Sequence, residues 1–353
     1  MIVKNEEDCL DRCLDSVHGL VDEIIVVDTG STDRTVEIAQ AHGARVEHFV
    51  WCDDFAAARN YSLSFAEGDW ILILDADESL NPADHEAIRE LTTKGGNAYA
   101  FALRNYFLTG NSSTFDKPSQ KNDTGFAMQY PYYNDSTALR FWKAGPTFSN
   151  RIHELPNIPE FEVVTPVIHH YGKMNAAREA TKRDYYFNLC KAEAKAKPMN
   201  EQLHFSLAGE AYILEKWEDA LDAAKAYMRL KPNEVPLMMI MVAGASSQAL
   251  GKHEHALYYL QKVLEADPNH ALAKMLGSRS LFQLGKINEA IELIHTAIEE
   301  HPTFTGSYLT LMTMYEKLRD RTAAWLTILR ALQHNPHDEH LLDYFDRLTP
   351  RVD

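Results

Sequence analysis

Four prolines set the frame for the C-terminal half of this 353-residue chain: Pro232, Pro268, Pro302 and Pro336 follow one another at intervals of 36, 34 and 34 residues. Ala220, Ala256, Ala290 and Ala324 keep the same intervals, as do Leu214, Leu250, Leu284 and Leu318. Three columns in register mean that one structural unit recurs and stacks on its neighbours, which excludes a single globular core for this half. β-branched runs are scarce there, so the unit is helical. A small residue in mid-unit lets two helices approach closely, and the proline ends the second helix because it offers no backbone N–H.

The period, the alanine, the closing proline and the turns Leu250-Gly251-Lys252 and Leu284-Gly285-Lys286 resemble the tetratricopeptide repeat. Four repeats are expected over residues 201–336. A capping helix within 337–353 covers the last apolar face, and a helical connector fills 176–200, stopped by Pro198. The resemblance implies a groove lined by the first helix of each repeat, here Phe205, Tyr212, Met238, Met241, Leu272, Met275 and Phe282. Methionines suit an adaptable contact surface, to be covered by a peptide acceptor, by the N-terminal half, or by a second copy in a homodimer. With the register shifted by one residue, the same side chains belong to the helix–helix core.

Residues 1–175 read differently. Ile24-Ile25-Val26-Val27, Arg45 to Val50 and Trp70 to Leu74 are short β-rich runs, separated by helical patterns at about 34–42 and 56–66. Strands alternating with helices predict an α/β domain with a mixed, mainly parallel sheet. At about 150 residues per domain, the length accommodates such a domain plus the helical array.

The chain carries 35 Lys plus Arg against 51 Asp plus Glu, a net charge of −16, which argues against nucleic acid or an anionic membrane as partner. Its longest apolar stretches, Trp70 to Leu74 and Leu237 to Ala243, fall short of the roughly 18 residues that a membrane span needs. Met1-Ile2-Val3, apolar for three residues only, is not expected to serve as a secretory h-region. Cys9, Cys13, Cys52 and Cys190 make neither a CxxC pair nor a disulfide framework; Cys9 and Cys13 share a helical face with Leu10 and Leu14 as buried thiols. A cytoplasmic location is expected.

The chemistry gathers where strands end. Asp28 closes an apolar run and opens the turn Thr29-Gly30-Ser31-Thr32-Asp33. In open α/β sheets ligands bind beyond the carboxyl ends of the strands, and the same carboxylate is equally suited to capping its own turn. No GxGxxG is present, which favours a mononucleotide or nucleotide sugar over a dinucleotide. Trp70-Ile71-Leu72-Ile73-Leu74 runs directly into Asp75-Ala76-Asp77-Glu78, which predicts two carboxylates on one side of the sheet. Such oxygen ligands suit Mn²⁺ or Mg²⁺, which need few protein carboxylates when a diphosphate supplies further oxygens.

Four ordered motifs carry a second resemblance: Val3-Lys4-Asn5-Glu6-Glu7, Val27-Asp28-Thr29-Gly30-Ser31-Thr32-Asp33, Trp51-Cys52-Asp53-Asp54-Phe55-Ala56-Ala57-Ala58-Arg59-Asn60 and Asp75-Ala76-Asp77-Glu78. Residues 1–175 resemble family 2 glycosyltransferases of the GT-A fold. The resemblance implies that Val3, Lys4, Glu6, Asp28, Arg59 and Asp75 hold the nucleotide and that Asp77 ligates the metal. It also implies one inverting displacement from a nucleoside-diphosphate sugar, UDP being the commonest nucleotide in the family. Asn150-Arg151-Ile152-His153-Glu154 and His169-His170-Tyr171-Gly172 resemble the same clade. There Glu154 is the expected general base rather than a structural carboxylate, with His153 as its orienting partner or substitute, and His170 completes the metal shell, contacts the diphosphate, or caps a strand.

Fused to repeats, such a domain is similar to bacterial peptide and protein glycosyltransferases; a saccharide or lipid-linked acceptor is the second expectation. The competing class is a catalytically degenerate scaffold whose repeats bind partner proteins. Met1 to Lys4 fall inside the expected first strand, and the polar stretch Leu108 to Thr137 is expected to be a long acceptor loop or lid.

Overall fold

The computed structural model describes residues 1–107, 120–121, 130, 132–172 and 176–348, in two compact units, Met1–Ala196 and Lys197–Asp353.

In chain order the first unit contains β1 (Ile2–Val3), α1 (Leu10–Asp15), β2 (Ile25–Asp28), α2 (Thr35–Ala41), β3 (Arg45–His48), α3 (Phe55–Leu63), β4 (Trp70–Leu72) and β5 (Glu78–Leu80). It continues with α4 (His85–Leu91), β6 (Ala98–Phe107), β7 (Gln120–Lys121), β8 (Tyr132–Lys143), β9 (Phe148–Ser149), β10 (Leu155–Pro156), β11 (Glu162–His170) and α5 (Ala176–Ala196). The α/β expectation therefore holds. β1, β2 and β3 form a parallel sheet in that order, with α1 and α2 as crossovers. Val3, Leu10, Leu14, Val26 and Ala39 pack together in its core, which is why β2 reads as an unbroken apolar run. Gly30 follows β2 at a φ of 106°, a conformation glycine adopts without strain. Asp54 starts α3 by accepting from the Ala57 N–H at 2.8 Å.

The second sheet has the order β4-β8-β6-β11-β5, with β7 attached to β8. Only β6 and β11 pair in parallel there; β4–β8, β6–β8, β7–β8 and β5–β11 are antiparallel. The sheet is mixed as expected, but its mainly parallel character is confined to the first three strands. An antiparallel pair such as β6–β8 needs no helical crossover, unlike the parallel strands β1 to β3. The expected loop over 108–137 also changes: Tyr132 to Thr137 are strand residues paired to Phe107 through Ala102. Residues 108–119, 122–129 and 131 lie outside the described residues.

The expected connector is a helix, and it belongs to the first unit. Tyr185 on α5 donates to Asp53 Oδ1 at 2.6 Å and accepts from Trp51 Nε1 at 2.9 Å, while Tyr186 meets Phe55 edge-on.

The second unit is all helix: α6 (Glu201–Ile213), α7 (Trp217–Leu230), α8 (Leu237–Ala249), α9 (His253–Ala266), α10 (Ala271–Gln283), α11 (Ile287–Glu300), α12 (Thr305–Lys317), α13 (Arg321–His334) and α14 (Glu339–Leu348). Ala220, Ala256, Ala290 and Ala324 are fully buried in the second helices of four successive hairpins, as close helix approach requires. Met241 and Met275 are only 1% and 6% exposed, Phe205 packs on Tyr227, and Tyr212 on Trp217. The acceptor groove expected at Met241 and Met275 is thus corrected to helix–helix core, while Phe205 and Tyr212 are half-buried. The cause is crowding: α8 packs on α9 and also on α6, α7 and α10, so little of a first helix is left over. Phe282, by contrast, lines a cavity of about 180 Å³ with Arg279, Thr310, Thr313 and Lys317.

Candidate active site

The loops leaving β1 and β2 are laced together. Asn5 takes a left-handed φ of 54°, donates its N–H to Ser31 Oγ at 2.9 Å, and accepts the Thr32 N–H on Oδ1 at 2.8 Å. The Glu6 N–H donates to Thr35 Oγ1 at 2.7 Å, and the Val3 carbonyl accepts from the Thr29 N–H and hydroxyl at 3.0 and 2.9 Å. Lys4 is exposed. Asp28 accepts from the N–H groups of Gly30 and Ser31 at 3.2 and 3.0 Å and meets His48 Nδ1 at 3.4 Å. Burial would raise its pKa, but these hydrogen bonds outweigh burial and hold the carboxyl below its usual range. Asp28 caps its own turn, and Val3, Glu6 and Asp28 share a hydrogen-bonded rim at the sheet edge.

A charged centre lies beyond β4. The chain leaves the strand at Leu72 and turns, with the Glu78 N–H donating to the Asp75 carbonyl at 3.0 Å. Asp75 and Asp77 are therefore turn residues with different partners, not two carboxylates on one sheet face. Asp75 accepts Arg59 Nη2 on Oδ1 at 2.9 Å and Arg140 Nη2 on Oδ2 at 3.1 Å. Arg59 Nε donates to Glu154 Oε1 at 2.5 Å, and Arg140 also donates to Glu78. Burial alone would push Asp75 up, yet Arg59 and Arg140 hold it well below the usual carboxylate range. Glu78 is pushed up to about 7 by burial, against Arg140 and with help from the Asp75 charge. Two guanidiniums face three carboxylates here, so the centre settles most easily with a proton on the deeply buried Glu78.

Arg59 Nη1 and Arg140 Nε are buried and have no hydrogen-bond partner among the described residues. A buried donor left unpaired costs about 1–3 kcal/mol, which a ligand oxygen would relieve. No motif pointed to Arg140. Its signal is a lone cation inside Ala138-Leu139-Arg140-Phe141-Trp142, since arginine is almost never buried unless paired.

Asp77 turns toward β11, where His170 Nε2 lies 3.5 Å from its Oδ2. Burial disfavours the charged imidazole, but Asp77 outweighs it and raises the His170 pKa. A Cβ at Gly172 would stand 2.2 Å from Asp77 Oδ2 and 2.7 Å from His170 Nε2, so only glycine leaves this corner open. A carboxylate oxygen and an imidazole nitrogen converging on free space fit Mn²⁺ or Mg²⁺. No group of three or more His, Cys, Asp or Glu is arranged to hold a metal among the described residues, so further ligands would have to be substrate oxygens or water.

His153 takes a φ of 51° beside Glu154, and its buried Nε2 has no partner among the described residues. Burial lowers its pKa, with Glu154 opposing. A cavity of about 670 Å³ lies between β2 and β4, walled by Leu14, Ile25, Leu63, Ile71 and Ile73; none of the predicted site residues lines it.

His169 stacks on Tyr106 and meets the Tyr106 hydroxyl through Nδ1 at 2.7 Å. Its pKa is pushed down from 6.5 to about 4 by burial, aided by Arg104 and opposed by Asp135. Between those values the unfolded chain binds a proton that the native state refuses, so stability falls as pH drops from 6.5 toward 4. Urea unfolding of His169→Phe, which keeps the stack, is expected to lose up to about 1.4 kcal/mol per pH unit of that slope.

Residues 1–171 match the profile of glycosyl transferase family 2, and residues 248–315 match a tetratricopeptide repeat profile. A TPR repeat-containing protein of Synechococcus elongatus is 40% identical over 178 residues, 49% of this chain and 41% of that protein. The SPbeta prophage-derived glycosyltransferase SunS of Bacillus subtilis is 28% identical over 235 residues, 64% of this chain and 51% of its own. An uncharacterized glycosyltransferase of Rickettsia bellii is 41% identical over 81 residues, 23% of this chain and 27% of that one. The chain spans about half the length, or less, of these curated relatives. The chain is thus similar to glycosyl transferase family 2 over its N-terminal 171 residues and to tetratricopeptide repeats over 248–315.

Proposed function

We propose that this chain is a glycosyltransferase that moves a sugar from a nucleoside-diphosphate donor, UDP-linked in the first instance, to an acceptor presented by the repeats, with Mn²⁺ or Mg²⁺ at Asp77 and His170. The observation that carries this reading is the charged turn itself. Arg59 and Arg140 keep unpaired N–H groups for anionic oxygens around Asp75, two positions before Asp77 of the Asp77–His170 pair. A divalent ion bound there supplies positive charge to the departing diphosphate. Val3, Lys4, Glu6 and Asp28 shape the nucleotide side of the rim.

Arg59 fixes the Glu154 carboxylate through Oε1, which leaves Oε2 to take the acceptor proton. The acceptor heteroatom then forms its bond to the anomeric carbon as the carbon–oxygen bond to the diphosphate breaks. His153, beside Glu154, helps to set that carboxylate's orientation. We assign the catalytic domain to 1–175, the connector to 176–200, four repeats to 201–336 and the cap to 337–353. A peptide or protein acceptor suits a repeat array better than a saccharide does. No helix among the described residues is long and apolar enough to cross a membrane. The low cysteine count, four in 353 residues, and a nucleotide-sugar donor support a cytoplasmic setting.

A thermal-shift panel of UDP, GDP, CDP and dTDP, each with and without Mn²⁺, tests the reading. A nucleotide at 100 times its Kd adds about 2.7 kcal/mol to the stability of what it binds. One nucleotide that shifts the transition only with Mn²⁺ is the expected result. No shift with any of the four favours the scaffold, in which the repeats alone bind.

A further inference from the structure

Asn105 belongs to none of the motifs, yet it lies buried on β6, opposite Asn134 of β8 and opposite His170 of β11. Its amide has one chemically consistent orientation. Nδ2 lies 3.2 Å from the Leu103 carbonyl oxygen, 3.5 Å from the Asn134 carbonyl oxygen and 3.3 Å from Ser136 Oγ. Carbonyl oxygens only accept, so the NH₂ group must face them and Oδ1 must face the other way. On that side His170 Nδ1 stands 2.8 Å from Oδ1. An amide oxygen cannot donate, so Nδ1 carries the proton of that bond. In the neutral imidazole the lone pair then lies on Nε2, the nitrogen that faces Asp77 Oδ2 at 3.5 Å.

We propose that Asn105 is the positioning residue that fixes the tautomer and ring plane of His170, so that Nε2 and Asp77 together present a divalent-cation site in the corner left open by Gly172. The inference rests on the metal reading given above. A hydrogen-bond partner on the far ring nitrogen both selects the ligating nitrogen and strengthens it, and removing such a partner commonly weakens metal binding 10- to 100-fold, as a rough range. The carbonyls of Leu103 and Asn134 orient Asn105, Asn105 orients His170, and His170 orients the site.

The test measures Mn²⁺ binding to the full chain by electron paramagnetic resonance in the presence of UDP, with the melting temperature of each variant recorded. Asn105→Leu is expected to weaken Mn²⁺ binding about 10- to 100-fold while the chain stays folded. Asn105→Asp, whose carboxylate still accepts from Nδ1, is expected to recover most of it. Histidine-selective ¹⁵N spectra of the metal-free wild type at pH 9 should show the Nδ1-protonated tautomer at His170, and Asn105→Leu should shift it toward Nε2. An Nε2-protonated His170 in the wild type, or unchanged Mn²⁺ affinity in folded Asn105→Leu, overturns the role of Asn105 and leaves the metal reading standing. A wild-type chain that binds no Mn²⁺ overturns both. Should Asn105→Leu fail to fold, the wild-type spectrum and Asn105→Asp still decide.

Discussion

Arg59→Ala is expected to destabilise the first unit by about 3–5 kcal/mol and to abolish any transfer activity, because it leaves Glu154 and Asp75 without the cation that joins them. Arg59 is 7% exposed on α3, and its guanidinium spans from the turn after β4 to the segment between β9 and β10. Removing it exposes the imbalance already present in the centre, since Arg140 alone would face Asp75, Glu78 and Glu154. The remaining carboxylates then take up protons, so the stability of the variant should improve as pH is lowered toward 5. Arg59→Lys is the informative control. A single ammonium cannot donate to Glu154 and Asp75 in the fixed fork that a guanidinium offers, so this variant should recover part of the stability and little of the activity. Chemical denaturation at pH 7 and pH 5 measures both effects.

Asp77→Ala is expected to leave the melting temperature almost unchanged and to cut sugar transfer by about 10²–10³-fold or more. The two outcomes separate because Asp77 does little for the fold through its side chain. Its carbonyl accepts from the Tyr171 N–H at 3.0 Å, a bond that alanine retains, while among the described residues the carboxylate's ion-pair partner is His170. The lost carboxylate is half of the protein's contribution to the proposed metal corner. Mn²⁺ affinity should therefore fall with activity, and the stabilisation that nucleotide plus Mn²⁺ confers on the wild type should vanish in this variant. Retained turnover in Asp77→Ala would remove Asp77 from the site.

The parts of this molecule that could be read in the sequence are those in which physics imposes a local pattern. Stacking imposes a period, so Ala256 and Ala290 announced the hairpins. A buried parallel strand is apolar throughout, so Ile25-Val26-Val27 announced β2, and the carboxylates after Leu74 announced the charged turn. What stayed hidden depends on partners far apart in the chain. Arg140 meets Asp75 across 65 positions, and Asn105 meets His170 across another 65. Neither belongs to a motif, and each shows only as a polar residue set in an otherwise buried strand. Asp28 looked equally fit for a ligand or a turn; the Gly30 and Ser31 N–H groups show its turn role, and its ligand role belongs to the proposal. The groove register failed at Met241 and Met275 because a one-residue shift moves a side chain from surface to core, and periodicity does not fix the phase that finely. The antiparallel half of the domain was hidden because no sequence pattern marks β8 as the antiparallel partner of both β4 and β6.

Donor consumption is the decisive assay for whether the turn after β4 organises metal-dependent transfer from a nucleotide sugar. The full chain is incubated with UDP-glucose, UDP-N-acetylglucosamine, GDP-mannose or dTDP-rhamnose, with Mn²⁺ and a bacterial peptide extract, and the nucleoside diphosphate released is quantified. The account predicts release from at least one donor, a matching sugar mass added to a component of the extract, and loss of both with EDTA or in Asp77→Ala. Absence of release from every donor, or release that survives both EDTA and Asp77→Ala, would contradict it.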